Sequence, residues 1–248
     1  MSNNGIRNEY EIVDAINNKK VKDLSQNFQF NLKKIFGVMD ENEVIIAERV
    51  ANHTKPDIWV EYKGIRKYIS IKSGRANEVH LEQLTTLVEF FKENALPEEF
   101  INFFKEYCYG DGTTDGSHGV PYEFAQLKLL YKDKSKRFNR EILSKHYLIE
   151  NVIDRAIFSG AKGGVPADYI YFGDIYYGEL VSKKQIFKHL MIQKWSYMDN
   201  PHIGPLQFRM MQRGYPSRPE FEYKRHMVCF WWANLEADLR YIARRYDI

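Results

Sequence analysis

The stretch "KPDIWVEYKGIRKYISIKSG", Lys55 to Gly74, decides how the rest of the chain is read. It holds two strand-like runs separated by Lys63-Gly64, a pair suited to a two-residue hairpin turn. Centring the hairpin there fixes the register. Tyr62 then faces Ile65, and Asp57 falls directly opposite Ser70. Alternation along the second run puts Lys72 on the same face as Ser70. Ile58, Val60, Ile65, Ile69 and Ile71 collect on the other face. A polar face over an apolar one supports this register, because a slip of one residue would bury Asp57 and Lys72 and expose the isoleucines. A three-residue loop would produce that slip, so the reading hinges on turn length.

The polar face carries one carboxylate, one hydroxyl and one ammonium. Asp57 is a hard anionic oxygen ligand of the kind magnesium takes, and the backbone carbonyl of Ile71 offers a second oxygen. Ser70 brings no charge, but its hydroxyl can hold a metal-bound water. Lys72 is placed to stabilise developing negative charge. Phosphodiester hydrolysis uses such a set: a cation on a non-bridging oxygen, which also lowers the pKa of the attacking water. The pattern Pro-Asp followed by Ser-x-Lys is loose, and the same spacing fits a surface hairpin with ordinary solvated charges.

The totals bound the alternatives. A length of 248 residues suits one large domain or a core with an elaboration. Hydrophobic residues make up 44% and aromatics 15%, which excludes global disorder. The net charge of +3 accommodates a polyanionic partner without requiring one. No apolar run reaches membrane-spanning length, and the polar N-terminus lacks a signal-type segment, so a reducing cytoplasm is the expected compartment. Cys108 and Cys229 give neither a disulfide framework nor a zinc-binding spacing.

Along the chain, residues 9–20 read as a helix with Ile12, Val13 and Ile16 on one face and Asn8 as its cap. Residues 43–51 fit strand or helix. Leu81, Leu84, Leu87, Val88 and Phe91 recur at helical spacing, which predicts a helix over 78–94 bounded by Pro97. "YGDGTTDGSHGVPYE" (109–123) is a glycine-rich loop and the clearest internal boundary; no Gly-Lys-Ser/Thr follows, so it is not a phosphate-cradling loop. Helices are expected over 122–131 and, from its periodicity, over 141–158. Between them, 132–146 carries six Lys/Arg against two Asp/Glu. "ADYIYFGDIYYGEL" (167–180) reads as strand broken by Gly173 and Gly178. Residues 207–232 read as two strands around a Pro/Gly turn, and 233–248 as strand leading to helix.

With Pro56-Asp57 and Ser70-Ile71-Lys72 as its motif, the chain resembles the PD-(D/E)XK nuclease superfamily. More narrowly it resembles the small monomeric type II restriction endonucleases that cut GC-rich palindromes such as GCGC and CCGG. "GIRNEYEIVDAI" (5–16) is similar to the Gly-x-x-Asn-Glu opening of a first helix in one such enzyme. "SGRANEVHLEQL" resembles the polar turn leading into the next core helix. "DKSKRFNREILSKHYLIENVIDRAIFSGAKGGVPADYIYFGD" (133–174) is similar to the family's basic segment, long helix, glycine-bearing loop and strand. "GPLQFRMMQRGYPS" (204–217) resembles a late recognition strand, and "CFWWANLEADL" (229–239) a C-terminal strand. In those relatives too the second acid is a neutral residue, an amide rather than serine.

The resemblance implies a restriction-endonuclease-like fold of α/β (α+β) class, a mixed central sheet flanked by helices. It implies a catalytic core over residues 1–110 and a DNA-recognition subregion over 111–248. It further implies magnesium-dependent, sequence-specific hydrolysis of double-stranded DNA, a monomer, 5′-phosphate and 3′-hydroxyl products, and a cognate DNA methyltransferase. Asp57, Ser70 and Lys72 would form the catalytic set, with Asp57, Ser70 and the Ile71 carbonyl at the metal. Glu9 is the candidate compensating acid, if the first helix packs against the hairpin; a solvated glutamate at a helix start is the alternative. Glu61 lies opposite Arg66, so a cross-strand ion pair is expected for both. Glu78 is a weaker candidate acid.

For reading DNA, Gln212 and Arg213 precede Gly214, where backbone can approach base edges, and Gln207, Arg209 and Arg218 are nearby seconds. Phosphate contacts are expected from the basic run, chiefly Lys136 and Arg137 beside Lys132, Lys134 and Arg140, and from Lys162 in its glycine-bearing loop. Ser73 and Arg75 would contact phosphate near the cut. His53, His80 and His118 lack ligand partners at metal spacing and read as surface or core histidines. Rival readings stay open at this point: a repair or recombination nuclease, a catalytically silent DNA-binding module, or a protein with a chance motif.

Overall fold

The computed structural model describes residues 3–50, 54–74, 77–161, 163–193, 199–210 and 226–245. In chain order the elements are α1 (Asn3–Ile16), β1 (Lys19–Lys20), α2 (Gln26–Phe36), β2 (Val44–Arg49), β3 (Ile58–Tyr62), β4 (Ile65–Lys72) and β5 (Glu78–Gln83). There follow α3 (Leu84–Glu93), α4 (Glu98–Tyr109), α5 (Phe124–Leu130), α6 (Lys132–Ser144), α7 (His146–Ile153), β6 (Tyr169–Gly173) and β7 (Gly178–Ser182). The last are α8 (Lys183–Ile192), β8 (His202–Ile203), β9 (Leu206–Met210), β10 (Met227–Trp232) and α9 (Leu235–Arg245).

The protein is of α/β class. A six-stranded sheet, β1-β2-β3-β4-β6-β7, is mixed, with β4 and β6 its parallel pair, and helices flank it. A separate four-stranded antiparallel sheet has the order β5-β10-β9-β8. The chain forms two compact units: Met1–Ala76, Phe158–His189 and Asn234–Ile248 make the first, and Asn77–Ile157 and Leu190–Ala233 the second. The second unit is therefore inserted into the first at two places, one of them the crossover between β4 and β6. The units do not part at residue 110. The glycine-rich loop joins α4 to α5 inside one unit, where Lys134 of α6 pairs with Glu106 of α4 at 2.8 Å.

In the first unit the hairpin of β3 and β4 has the register that its turn dictates. Tyr62 pairs with Ile65 and Ile58 with Ile69. Lys63 and Gly64 both have positive φ, 49° and 77°, the signature of a type I′ turn. Ile12 and Ile16 of α1 and Phe28 and Leu32 of α2 bury one sheet face, against Ile58, Val60, Ile69 and Ile71. Each such side chain, once buried, contributes roughly 1.5–3 kcal/mol. Ile65, at the hairpin tip, is the exception and stands 55% exposed, because the helices do not reach it. Tyr171 and Phe172 point to opposite faces, as neighbours in a strand must. Tyr171 stacks on Phe28 of α2, while Arg240 of α9 stands over the Phe172 ring. The edge strand β7 is closed by buried Asn31 of α2, which donates to the Gly178 carbonyl and accepts from the Leu180 N–H.

Several expectations shift. The first helix spans Asn3–Ile16 rather than 9–20, so Asn8 lies inside it and donates instead to the Gly173 carbonyl at 2.9 Å. The helix expected over 78–94 is a strand, β5, followed by a shorter helix, α3. Leu81 fits the helical stripe of Leu84, Leu87 and Phe91 by spacing, yet it pairs with Cys229 of β10. Tertiary pairing overrides local periodicity here.

In the second unit an aromatic cluster forms the core. Phe104 of α4 packs edge-on to Phe91 at 4.9 Å and against Phe208 of β9 at 4.4 Å. The expected 141–158 helix is broken at Lys145, which separates α6 from α7. Beside the core lies a buried charge cluster. Arg155 binds the Glu82 carboxylate through Nε at 3.1 Å and Nη2 at 2.8 Å, and His80 Nε2 approaches it at 3.4 Å. Burial opposes the Glu82 charge, but the hydrogen bonds and charges of His80 and Arg155 outweigh it and set the carboxyl below its ordinary value. Among the described residues no helix is long and apolar enough to cross a membrane.

Candidate active site

Asp57 stands immediately before β3, and its backbone is tied on both sides. Its N–H donates to the Ile69 carbonyl at 2.9 Å and its own carbonyl accepts from the Val50 N–H at 3.0 Å. The side chain turns toward β4. Oδ2 accepts from the Ser70 hydroxyl at 3.0 Å and from the Ile71 N–H at 2.6 Å. The carboxylate thus takes the place of a strand carbonyl where the hairpin ladder ends. With both bonds on Oδ2, Oδ1 accepts no hydrogen bond among the described residues. Ser70 is 1% exposed, so its hydroxyl orients Asp57 rather than presenting itself to solvent.

Lys72 closes β4, in register with Phe172 of the parallel strand β6. Among the described residues its ammonium makes no ion pair. Ser73 follows it and is exposed.

Glu9 arrives from α1, whose apolar side packs on the hairpin through Ile12 and Ile16. Its Oε2 accepts from Arg49 Nε at 3.0 Å and Nη2 at 2.8 Å. The Glu9 pKa is raised. Burial is the main cause and the Asp57 charge adds to it, against the lowering effects of Arg49 and Lys72. For Arg49, burial pulls the value down, but the Glu9 hydrogen bond and charge more than reverse it. A raised Arg49 value favours the ion pair and a raised Glu9 value opposes it, and the geometry reconciles the two. The pair is attractive, yet Glu9 sits in a field made unfavourable by burial and a second acid. Glu9 thus feels the charges of both Asp57 and Lys72, and Arg49 is the partner that reading from the sequence missed. Nothing in "VIIAERV" marks it as more than a strand-end arginine.

The donor set is sparse. Among the described residues no group of three or more His, Cys, Asp or Glu is arranged to hold a metal ion. Two carboxylates suit magnesium, which takes one or two and keeps much of its water shell, better than zinc, which is enclosed by nitrogen and sulfur ligands.

The other expected site residues are scattered. Gln207 is half-buried on β9, opposite Trp231, and Arg209 is exposed with its guanidinium 3.9 Å from the Trp231 ring centre. Lys136 is exposed on α6, whereas Arg137 is engaged with Glu99 at 2.9 Å. Arg66 pairs with Glu61 at 2.9 Å, as their register requires. Glu78 is exposed at the start of β5. His80 is buried in the Glu82 cluster, and His118 meets the Asp111 carbonyl at 3.1 Å. Gln212, Arg213, Arg75, Lys162, Arg218 and His53 lie outside the described residues. Comparison with protein-family models returns no match, and neither does a search of curated proteins.

Proposed function

We propose that the chain is a magnesium-dependent endonuclease of the PD-(D/E)XK type that cuts double-stranded DNA at a specific sequence, as type II restriction enzymes do. One observation carries the reading. The Asp57 carboxylate is fixed by Ser70 and the Ile71 N–H, and Lys72 follows on the same strand at the end of a mixed sheet. An acid and a lysine on adjoining strands are the parts that phosphodiester hydrolysis needs. Glu9, whose pKa the Asp57 charge helps to raise, is the candidate second acid.

Asp57, through Oδ1, and Glu9 would hold magnesium, with the Ile71 carbonyl as a further oxygen. Bound there, the cation would polarise a non-bridging phosphate oxygen and lower the pKa of water. Lys72 stabilises the negative charge that develops on the phosphate and orients the attacking water. Ser70 holds Asp57 in one orientation, and Arg49 balances the Glu9 charge until a ligand arrives. The products carry 5′-phosphate and 3′-hydroxyl ends. Gln207 and Arg209, with Gln212 and Arg213, read base edges; Ser73, Arg75, Lys136, Arg137 and Lys162 contact phosphates. Of these, Arg137 must first leave Glu99, so Lys136 is the readier contact. The enzyme acts as a monomer in a bacterial cytoplasm and pairs with a methyltransferase that protects the host's own sites.

Digestion of plasmid DNA with magnesium, followed by sequencing of the ends, tests this. Discrete fragments sharing one end sequence are expected. Fragments with random ends would replace sequence specificity with a structure-directed repair or recombination activity. The sparse acid set favours one further reading, a DNA-binding module without catalysis, and binding with no cutting would establish it.

A further inference from the structure

We propose that the turn between β6 and β7 and the exposed side of α9 form a second nucleic-acid contact surface, one that grips the phosphate backbone beside Lys72; this deepens the nuclease reading and rests on it.

The placement follows from the sheet. β4 and β6 are parallel, and Lys72 pairs with Phe172, so both strands end at the same edge of the sheet. Neighbouring strands lie about 4.8 Å apart. In open α/β sheets ligands gather beyond the carboxyl ends of such strands. Phe172 is therefore the immediate neighbour of Lys72, and what stands over it stands beside the candidate site. That group is Arg240, whose guanidinium is 5.2 Å from the Phe172 ring centre and 5.5 Å from that of Tyr177.

The turn that follows β6 is built to present side chains. The Asp174 carboxylate accepts from the Tyr176 N–H at 2.8 Å and the Tyr177 N–H at 3.0 Å. Gly173 has φ of 149°, and a Cβ there would collide with the Tyr177 carbonyl. The turn is thus fixed, yet Tyr176 is 83% exposed and Tyr177 50%. Tyr176, held in water by a rigid turn, contributes little to the core and is placed to meet a ligand, whereas the Tyr177 hydroxyl is committed to Glu179.

The charges are layered. Glu179 has a side chain only 12% exposed, bound by the Tyr177 hydroxyl at 2.6 Å. Arg244, 3.8 Å from it, is 72% exposed. Arg240 pairs with Glu236 at 3.0 Å, and Arg245 lies over Tyr241. The acid lies beneath and the guanidinium outermost, so Arg244 presents positive charge to a ligand. Arginines and tyrosine hydroxyls are standard donors to phosphate oxygens. The partner that fits is a sugar-phosphate backbone running past Lys72, here duplex DNA.

The experiment is binding of a labelled DNA duplex in EDTA, where no cutting occurs, by fluorescence anisotropy across a salt series. Removing one cationic side chain that neutralises a phosphate should reduce the slope of log affinity against log salt by about 0.9. The double variant Arg240→Gln/Arg244→Gln should bind more weakly, with a slope shallower by about 1.8. Tyr176→Phe should weaken binding about twofold to tenfold at unchanged slope, since it removes a neutral donor. Should the double variant melt early, Arg244→Gln alone carries the test, because that side chain is already mostly in water. If wild type binds duplex and these variants bind with the same affinity and slope, the contact surface is refuted and the nuclease reading stands. If wild type shows no salt-dependent binding at all, both fall.

Discussion

Ser70 occupies the place where the proposed nuclease reading calls for an acid, and its surroundings show what a neutral residue does there. It is buried and gives its hydroxyl to Asp57, which also holds the Ile71 N–H. Removing one neutral hydrogen bond of this kind costs about 0.5–1.5 kcal/mol. Ser70→Ala should therefore lower stability by about that much and slow cutting by about tenfold or less, because the Ile71 bond still positions the carboxylate. Urea unfolding and a plasmid-cutting rate measure the two. A loss as large as that of removing Lys72 would mean that Ser70 touches the metal shell or the substrate itself. The pairing of Asp57 with Ser70 was legible in the sequence, since a two-residue turn leaves only one register. The hydrogen bond from the Ile71 N–H was not, because the sequence pairs strands but does not say where a ladder gives way to a side chain.

At the scale of elements, the hairpin that positions Asp57 and Lys72 depends on Lys63-Gly64. Gly64 has φ of 77°, and a Cβ there would meet nothing within 4 Å. The cost of Gly64→Ala is therefore conformational alone, about 1–2 kcal/mol. Urea unfolding should show that loss with an unchanged m-value, and cutting should persist. An unchanged stability would contradict the type I′ turn. The same element scale shows where sequence reading failed. β3, β4, β6 and β7 announce themselves by alternation and by glycines at their breaks. β5 does not, because Leu81 fits a helical stripe as well as a strand, and only its partner β10 decides. α4 carries Phe100, Phe103, Phe104 and Tyr107 at helical spacing. That stripe is legible in principle, but it is short and hemmed between Pro97 and the glycine-rich loop.

At the scale of the molecule, Asp57, Glu9 and Lys72 belong wholly to one compact unit and the buried Glu82 cluster to the other. Stability and chemistry can thus be perturbed separately. The depressed Glu82 pKa means that its ionised form stabilises the fold above the ordinary carboxylate range. That contribution is lost as pH falls through the folded-state value. Glu82→Gln removes the charge that balances the half-buried Arg155 while keeping an oxygen for its hydrogen bond, and should cost about 1.5–3 kcal/mol at neutral pH. Unfolding measured at successively lower pH should show the gap to wild type narrowing; a gap that widens would contradict the charge assignment. The insertion of one unit into the crossover of the other was not legible, because no composition shift marks residues 77 or 158. The central claim is that Asp57 and Lys72 are the working groups of a nuclease, and plasmid cutting in magnesium by wild type, Asp57→Asn and Lys72→Ala tests it most directly. Asparagine keeps an oxygen for Ser70 and Ile71, so the fold should survive while the charge is gone. Wild type should cut, and each variant should be slower by about a hundredfold or more. Cutting by either variant at the wild-type rate would contradict the account.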